Sequence, residues 1–77
     1  MPPVLIDDIK KLVGMQLGKR GVNENDRFME DLGAESADIA NIVATVEEKY
    51  GITIKEAEIA SIFTPADLLA LVQKRAQ

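Results

Sequence analysis

Residues 31–50 read DLGAESADIANIVATVEEKY, and the way this stretch divides decides the fold. From Ser36 onward, Ile39, Ile42, Val43, Val46 and Tyr50 recur at spacings of three and four, which lines one side of a helix with apolar side chains. Asp38, Asn41, Thr45, Glu48 and Lys49 fall on the opposite side. The pattern predicts a helix from Ser36 to Tyr50, stopped by Gly51. At 1.5 Å per residue it is a rod of about 22 Å. Asp31 to Glu35 close the loop that feeds it.

Upstream, Ile6, Ile9, Val13 and Leu17 repeat the helical spacing, with Leu5 and Leu12 widening the stripe. They predict a helix from Pro3 to Leu17, ended by Gly18 or Gly21. Between the two helices lies a long connection, Lys19 to Glu35, punctuated by Gly21, Asn23, Asn25, Asp26 and Gly33. Structureless loops of this length are uncommon in small domains and tend to be functional. Phe28, Met29 and Leu32 are its expected anchors in the core. Downstream, Thr53 and Glu56 have capping-box spacing and predict a helix of about two turns before Ser61. Ile52-Thr53-Ile54 alternates like a strand but has no partner strand anywhere in the chain, so it reads as extended loop. Thr64, Pro65 and Asp67 start a last helix, with Phe63 and Leu68 at the spacing of a hydrophobic staple and Leu68, Leu69 and Val72 facing inward. The expected fold is all-α: a small bundle of three longer helices and one short one, in a single domain spanning residues 1–77.

The chain of 77 residues has neither His nor Cys and a formal net charge of −4. Disulfides, the usual zinc ligand set, the commonest general base and thiol nucleophiles are all missing, so a self-contained enzyme is not expected. The acidic balance opposes nucleic-acid binding, which needs a basic face. The acid is concentrated: residues 21–64 hold ten Asp and Glu against three Lys and Arg. Its spacing suggests no metal cage. No apolar run is long enough for a signal peptide or a membrane span, so the cytoplasm is the expected compartment. No coiled-coil seam is visible, and a monomer is expected.

Ser36 sits after a Gly-containing loop, at the start of the clearest helix. It stands where an N-cap would stand, and Ser is a favoured N-cap. From its residues alone the cap is the preferred reading.

The run Asp31-Leu32-Gly33-Ala34-Glu35-Ser36-Ala37-Asp38 resembles the motif of the acyl carrier protein family, usually DLGADSLD, whose serine bears a 4′-phosphopantetheine arm. The segments Glu47-Glu48-Lys49-Tyr50-Gly51-Ile52-Thr53-Ile54 and Phe63-Thr64-Pro65-Ala66-Asp67-Leu68 are similar to the end of the family's second helix and the start of its last. The resemblance implies a carrier without catalysis of its own, loaded at Ser36 by a phosphopantetheinyl transferase, that shuttles acyl thioesters between enzymes. The arm supplies the thiol that the chain lacks. A phosphodiester on Ser36 would lie at a helix N-terminus, where free amides and the helix dipole favour an anion.

The same resemblance makes Glu35, Ala37, Asp38, Glu47 and Glu48 a surface for partner enzymes, the acids steering basic patches into place. On the bland reading they are a solvated face. Ala37 stands where the family usually has Leu, Asn41 and Lys49 stand where acids are common, and Glu35 replaces Asp. These departures point to a specialised carrier. A second implication is that Ile39, Val43, Val46, Ile54, Ile59, Ile62, Leu68 and Leu69 form a core that can also admit the cargo. Two other functions fit the residues less well: a peptidyl or aminoacyl carrier, and a helical interaction module in which Ser36 is only a cap.

Overall fold

The computed structural model describes residues 4–75. Four helices follow in order: α1 (Ile6–Leu17), α2 (Ser36–Tyr50), α3 (Glu56–Ile59) and α4 (Pro65–Arg75). No strand occurs among the described residues, and Ile52 to Ile54 is extended chain, as its lack of a partner required.

The first helix is shorter than its pattern. The expected start at Pro3 lies outside the described residues, and α1 begins at Ile6. Leu5, counted into the apolar stripe, precedes the helix and is exposed. Its N–H donates to the Asp8 carboxylate, which anchors the first turn. Gly18 and Gly51 end α1 and α2 in left-handed caps.

The α3 segment is a single turn and not two. Its N-cap is Lys55, whose N–H donates to Glu58 Oε1 at 3.1 Å, so the reciprocal bond expected between Thr53 and Glu56 is replaced by one two residues later. The α4 start matches expectation: Thr64 N–H donates to Asp67 Oδ2 at 3.1 Å and Asp67 N–H donates to Thr64 Oγ1 at 3.2 Å. The proposed staple partner Phe63 is instead largely exposed.

The core gathers Ile9, Val13, Phe28, Ile42, Val46, Leu68 and Val72, all essentially sealed from water. Leu12, Leu32, Val43, Ile54 and Ile62 complete it, and Ile39, Ile59 and Leu69 pack against it from its margin. Helix α1 packs on both α2 and α4. The Gln73 side-chain amide donates to the Val4 carbonyl, tying the last turn of α4 to the chain entering α1. Burial, and after it the charge of Asp8 in the first turn of α1, push the Tyr50 hydroxyl at the end of α2 above its ordinary value. Thus α1 runs against both neighbours, and the starts of α2 and α4 share the end at which α1 finishes.

The long loop is held to that end by main-chain bonds. Phe28 N–H donates to the Phe63 carbonyl at 2.9 Å, and Ala66 N–H to the Glu24 carbonyl at 3.0 Å. Phe28 and Leu32 are buried, as expected, but Met29 is 50% exposed and does not anchor the loop.

Candidate functional site

The approach to α2 is built from short local bonds. Arg27 N–H donates to Asp31 Oδ2 at 2.8 Å, and the Asp31 and Leu32 amides donate back to the Arg27 carbonyl. Gly33 then takes φ +68°, a left-handed conformation that a side chain would strain. That turn lets Ala34 N–H reach back to the Phe28 carbonyl at 2.8 Å. The result is a fixed ramp from the buried Phe28 to Ser36.

Ser36 is not the N-cap. The extended residue is Glu35 (φ −94°, ψ 169°), whose carbonyl already accepts the first helical bond from Ile39 N–H at 3.1 Å. Asp38 Oδ2 accepts the Glu35 N–H at 2.9 Å. The bond that a Ser cap would make is therefore absent, and the capping work falls to Asp38. Ser36 is the first helical residue, exposed, and its hydroxyl takes part in no hydrogen bond among the described residues. The amides of Ser36 and Ala37 have no main-chain acceptor, the normal condition of a first helical turn.

Beside Ser36 opens a cavity of about 650 Å³. Its floor and walls are Phe28, Ile39, Ile59 and Ile62, and Met29 and Phe63 stand at its mouth. Arg27, Glu30, Ser36 and Thr64 supply its polar rim. Phe63 is 61% exposed although large and apolar, which places it between solvent and this cavity. The sequence pattern did not single out Met29 or Phe63 for such a place. Anchoring and stapling explained them equally well, and only burial separates the readings.

The acids divide by occupation. Asp38 caps α2, and Glu47 Oε2 accepts the Ile54 N–H at 2.8 Å, fixing the exit from α2. Glu35, Ala37 and Glu48 are exposed. Glu30 pairs with Arg27 at 2.7 Å across open solvent, which raises the Arg27 pKa but adds little stability. Glu58 pairs with Arg75, joining α3 to the end of α4. The hydrogen bond from Arg75, then that from the Lys55 amide, hold the Glu58 carboxyl below its ordinary value. A carboxyl lowered by folding stabilises the fold above its unfolded pKa, and this contribution is lost as pH falls through the folded one. Acidification is thus expected to loosen α3, one wall of the cavity, before it reaches the core. Thermal melts of wild type and Glu58→Gln should differ at neutral pH and converge below the ordinary carboxylate range. No group of three or more metal-ligating side chains is found among the described residues, and no described helix is long and apolar enough to cross a membrane.

A short helical bundle that presents an unengaged serine at a helix start, beside an apolar cavity, is the architecture of a carrier domain. Residues 6–72 match the family described as "Phosphopantetheine attachment site". The acyl carrier protein of Chlamydia caviae is 37% identical over 73 residues, covering 92% of this chain and 95% of the relative. That of Wolinella succinogenes is 38% identical over 71 residues, covering 90% and 93%. The crystal structure of an acyl carrier protein from Thermotoga maritima superposes with a TM-score of 0.76 at 29% identity, covering 91% of this chain and 84% of that one. The chain belongs to the phosphopantetheine-attachment family of acyl carrier proteins. Its members are carriers and not catalysts, and their prosthetic group is 4′-phosphopantetheine.

The site fits that group. An exposed hydroxyl with no competing bond is free to become an ester, two open amides and the helix dipole face where its phosphate would sit, and an apolar cavity lies alongside.

Proposed function

We propose that Ser36 carries the 4′-phosphopantetheine arm and that the chain, acting as one carrier domain over residues 1–77, shuttles acyl thioesters between enzymes. The observation that carries this is the placement of the Ser36 hydroxyl: exposed, without a hydrogen bond, and on the rim of the cavity. The arm, once attached, supplies a terminal thiol that holds the cargo as a thioester. The chain contributes the rest. The first turn of α2 offers amides to a phosphate, worth about 0.3–1 kcal/mol in dipole interaction. Phe28, Ile39, Ile59 and Ile62 offer aliphatic cargo a place away from water. None of the four can pair with an α-amino group, which favours acyl over aminoacyl cargo.

Partner enzymes, the phosphopantetheinyl transferase first, meet the surface around Ser36. Glu35 presents exposed charge there, Ala37 a small apolar contact and Asp38 charge that is also committed to a backbone amide, and Glu47 and Glu48 extend the acidic surface to the far end of α2. The small Ala37 supports a carrier dedicated to one pathway, which acts as a monomer in the cytoplasm. Intact mass of the protein isolated from its native host tests the cargo assignment. Aliphatic acyl adducts on Ser36 are expected; aminoacyl adducts there would replace this reading by the peptidyl-carrier one.

A further inference from the structure

The end of α1 and the chain that follows it form a second, shallower cleft of about 530 Å³ lined by Lys10, Lys11, Gly14, Met15, Lys19 and Arg20. Its shape depends on Gly14. A Cβ at that position would sit 2.7 Å from the Lys19 carbonyl oxygen, and Lys19 N–H in turn donates to the Gly14 carbonyl at 2.9 Å. The chain therefore folds back tightly on α1, which brings Lys19 and Arg20 beside Lys10 and Lys11.

Four cations line the cleft and no acid does. The two ion pairs among the described residues, Arg27–Glu30 and Arg75–Glu58, involve none of the four. Lys19 and Arg20 gain from the negative end of the α1 dipole, but Lys10 and Lys11 lie too early in the helix to share that gain. Unpaired like charges gathered in one cleft repel one another. Met15, 76% exposed, adds an apolar contact in the middle of them.

We infer that this cleft is a second docking surface, and that its occupant is an acidic amphipathic segment of a partner enzyme, a helix or loop with Asp or Glu around an apolar residue. Charge complementarity selects the acid, and Met15 selects the apolar element. The rest of the chain opposes an anionic membrane, because residues 21–64 carry ten acids against three bases. A carrier with an acidic face around Ser36 and a basic cleft on α1 has two different surfaces by which to distinguish its enzymes.

The test uses the full chain, ¹⁵N-labelled, titrated with a helical peptide of alternating Glu and Leu pairs. Amide shifts are expected to concentrate at residues 10–22, with affinity falling as salt rises. Joint reversal, Lys11→Glu with Lys19→Glu and Arg20→Glu, should weaken binding by about tenfold or more while the amide spectrum elsewhere stays folded. Met15→Ala should weaken it by a smaller factor and leave the salt dependence intact. Four outcomes overturn the inference: no binding, shifts centred on residues 27–39, equal binding by the reversed variant, or preferential binding to vesicles of equal parts phosphatidylcholine and phosphatidylglycerol.

Discussion

Ser36→Ala should abolish loading altogether while leaving the fold as stable as before. The two halves of this expectation rest on different observations. On the proposed attachment, loading needs an oxygen at position 36, and the chain offers no thiol or imidazole to substitute. Stability does not need that oxygen, because Ser36 is the first helical residue and its hydroxyl holds nothing; Glu35 is the N-cap and Asp38 accepts its amide. Replacing a true Ser cap by Ala costs about 1 kcal/mol. Here the change should stay within about 0.5 kcal/mol, with Ala the better helix former. Incubation with coenzyme A and a promiscuous phosphopantetheinyl transferase, followed by intact mass, reads the first half. Wild type should gain one prosthetic group and the variant none. Urea melts read the second half. A mass gain that persists in the variant would move the attachment elsewhere. A loss of about 1 kcal/mol or more would restore Ser36 to the capping role that its position suggested.

That contrast shows what the sequence could and could not carry. Helical periodicity places α2 to the residue because its core face is unbroken from Ile39 to Tyr50, and burial of Ile42, Val43 and Val46 follows the same period. Capping is harder to read. Asp, Glu, Ser or Thr occur before or within the first turn of every helix, and any of several spacings satisfies the first-turn amides. The N-cap of α2 falls at Glu35 and not Ser36, and the pair that opens α3 is Lys55 with Glu58 and not Thr53 with Glu56, shifts of one and two residues that composition does not resolve. Met29 and Phe63 were illegible for another reason. An apolar residue in a loop signals contact with something apolar, and a protein core and a cavity mouth look alike in sequence. The two faces of charge were half legible: the acidic excess shows in the counts, but the convergence of Lys10 and Lys11 with Lys19 and Arg20 depends on the chain turning at Gly18 and closing against Gly14.

The residue whose loss should matter most to the fold is Phe28. It is 2% exposed, its N–H holds the loop to Phe63, and its carbonyl accepts the Ala34 amide on the ramp to Ser36. Its ring is both core and cavity wall. Phe→Ala in a core costs about 3–5 kcal/mol, the transfer of the ring plus the void it leaves. Domains of ordinary stability have about 5–15 kcal/mol in all, and one this small buries a reduced share of its surface. Phe28→Ala should therefore populate the unfolded state at 25 °C, shown by a urea midpoint shifted toward zero. Loading at Ser36 should fall with the folded fraction and recover in a stabilising osmolyte such as TMAO. Phe28→Leu, which keeps an apolar side chain of most of the volume, should lose far less. The void would open onto an existing cavity, so the outcome also measures how free that cavity is to contract. If the bundle closes over the gap, Phe28→Ala will cost less than about 2 kcal/mol and the cavity will prove deformable. A cost in the full range, with loading restored by osmolyte, would mean that the loop and α4 are braced apart and that the space beside Ser36 is fixed by the fold.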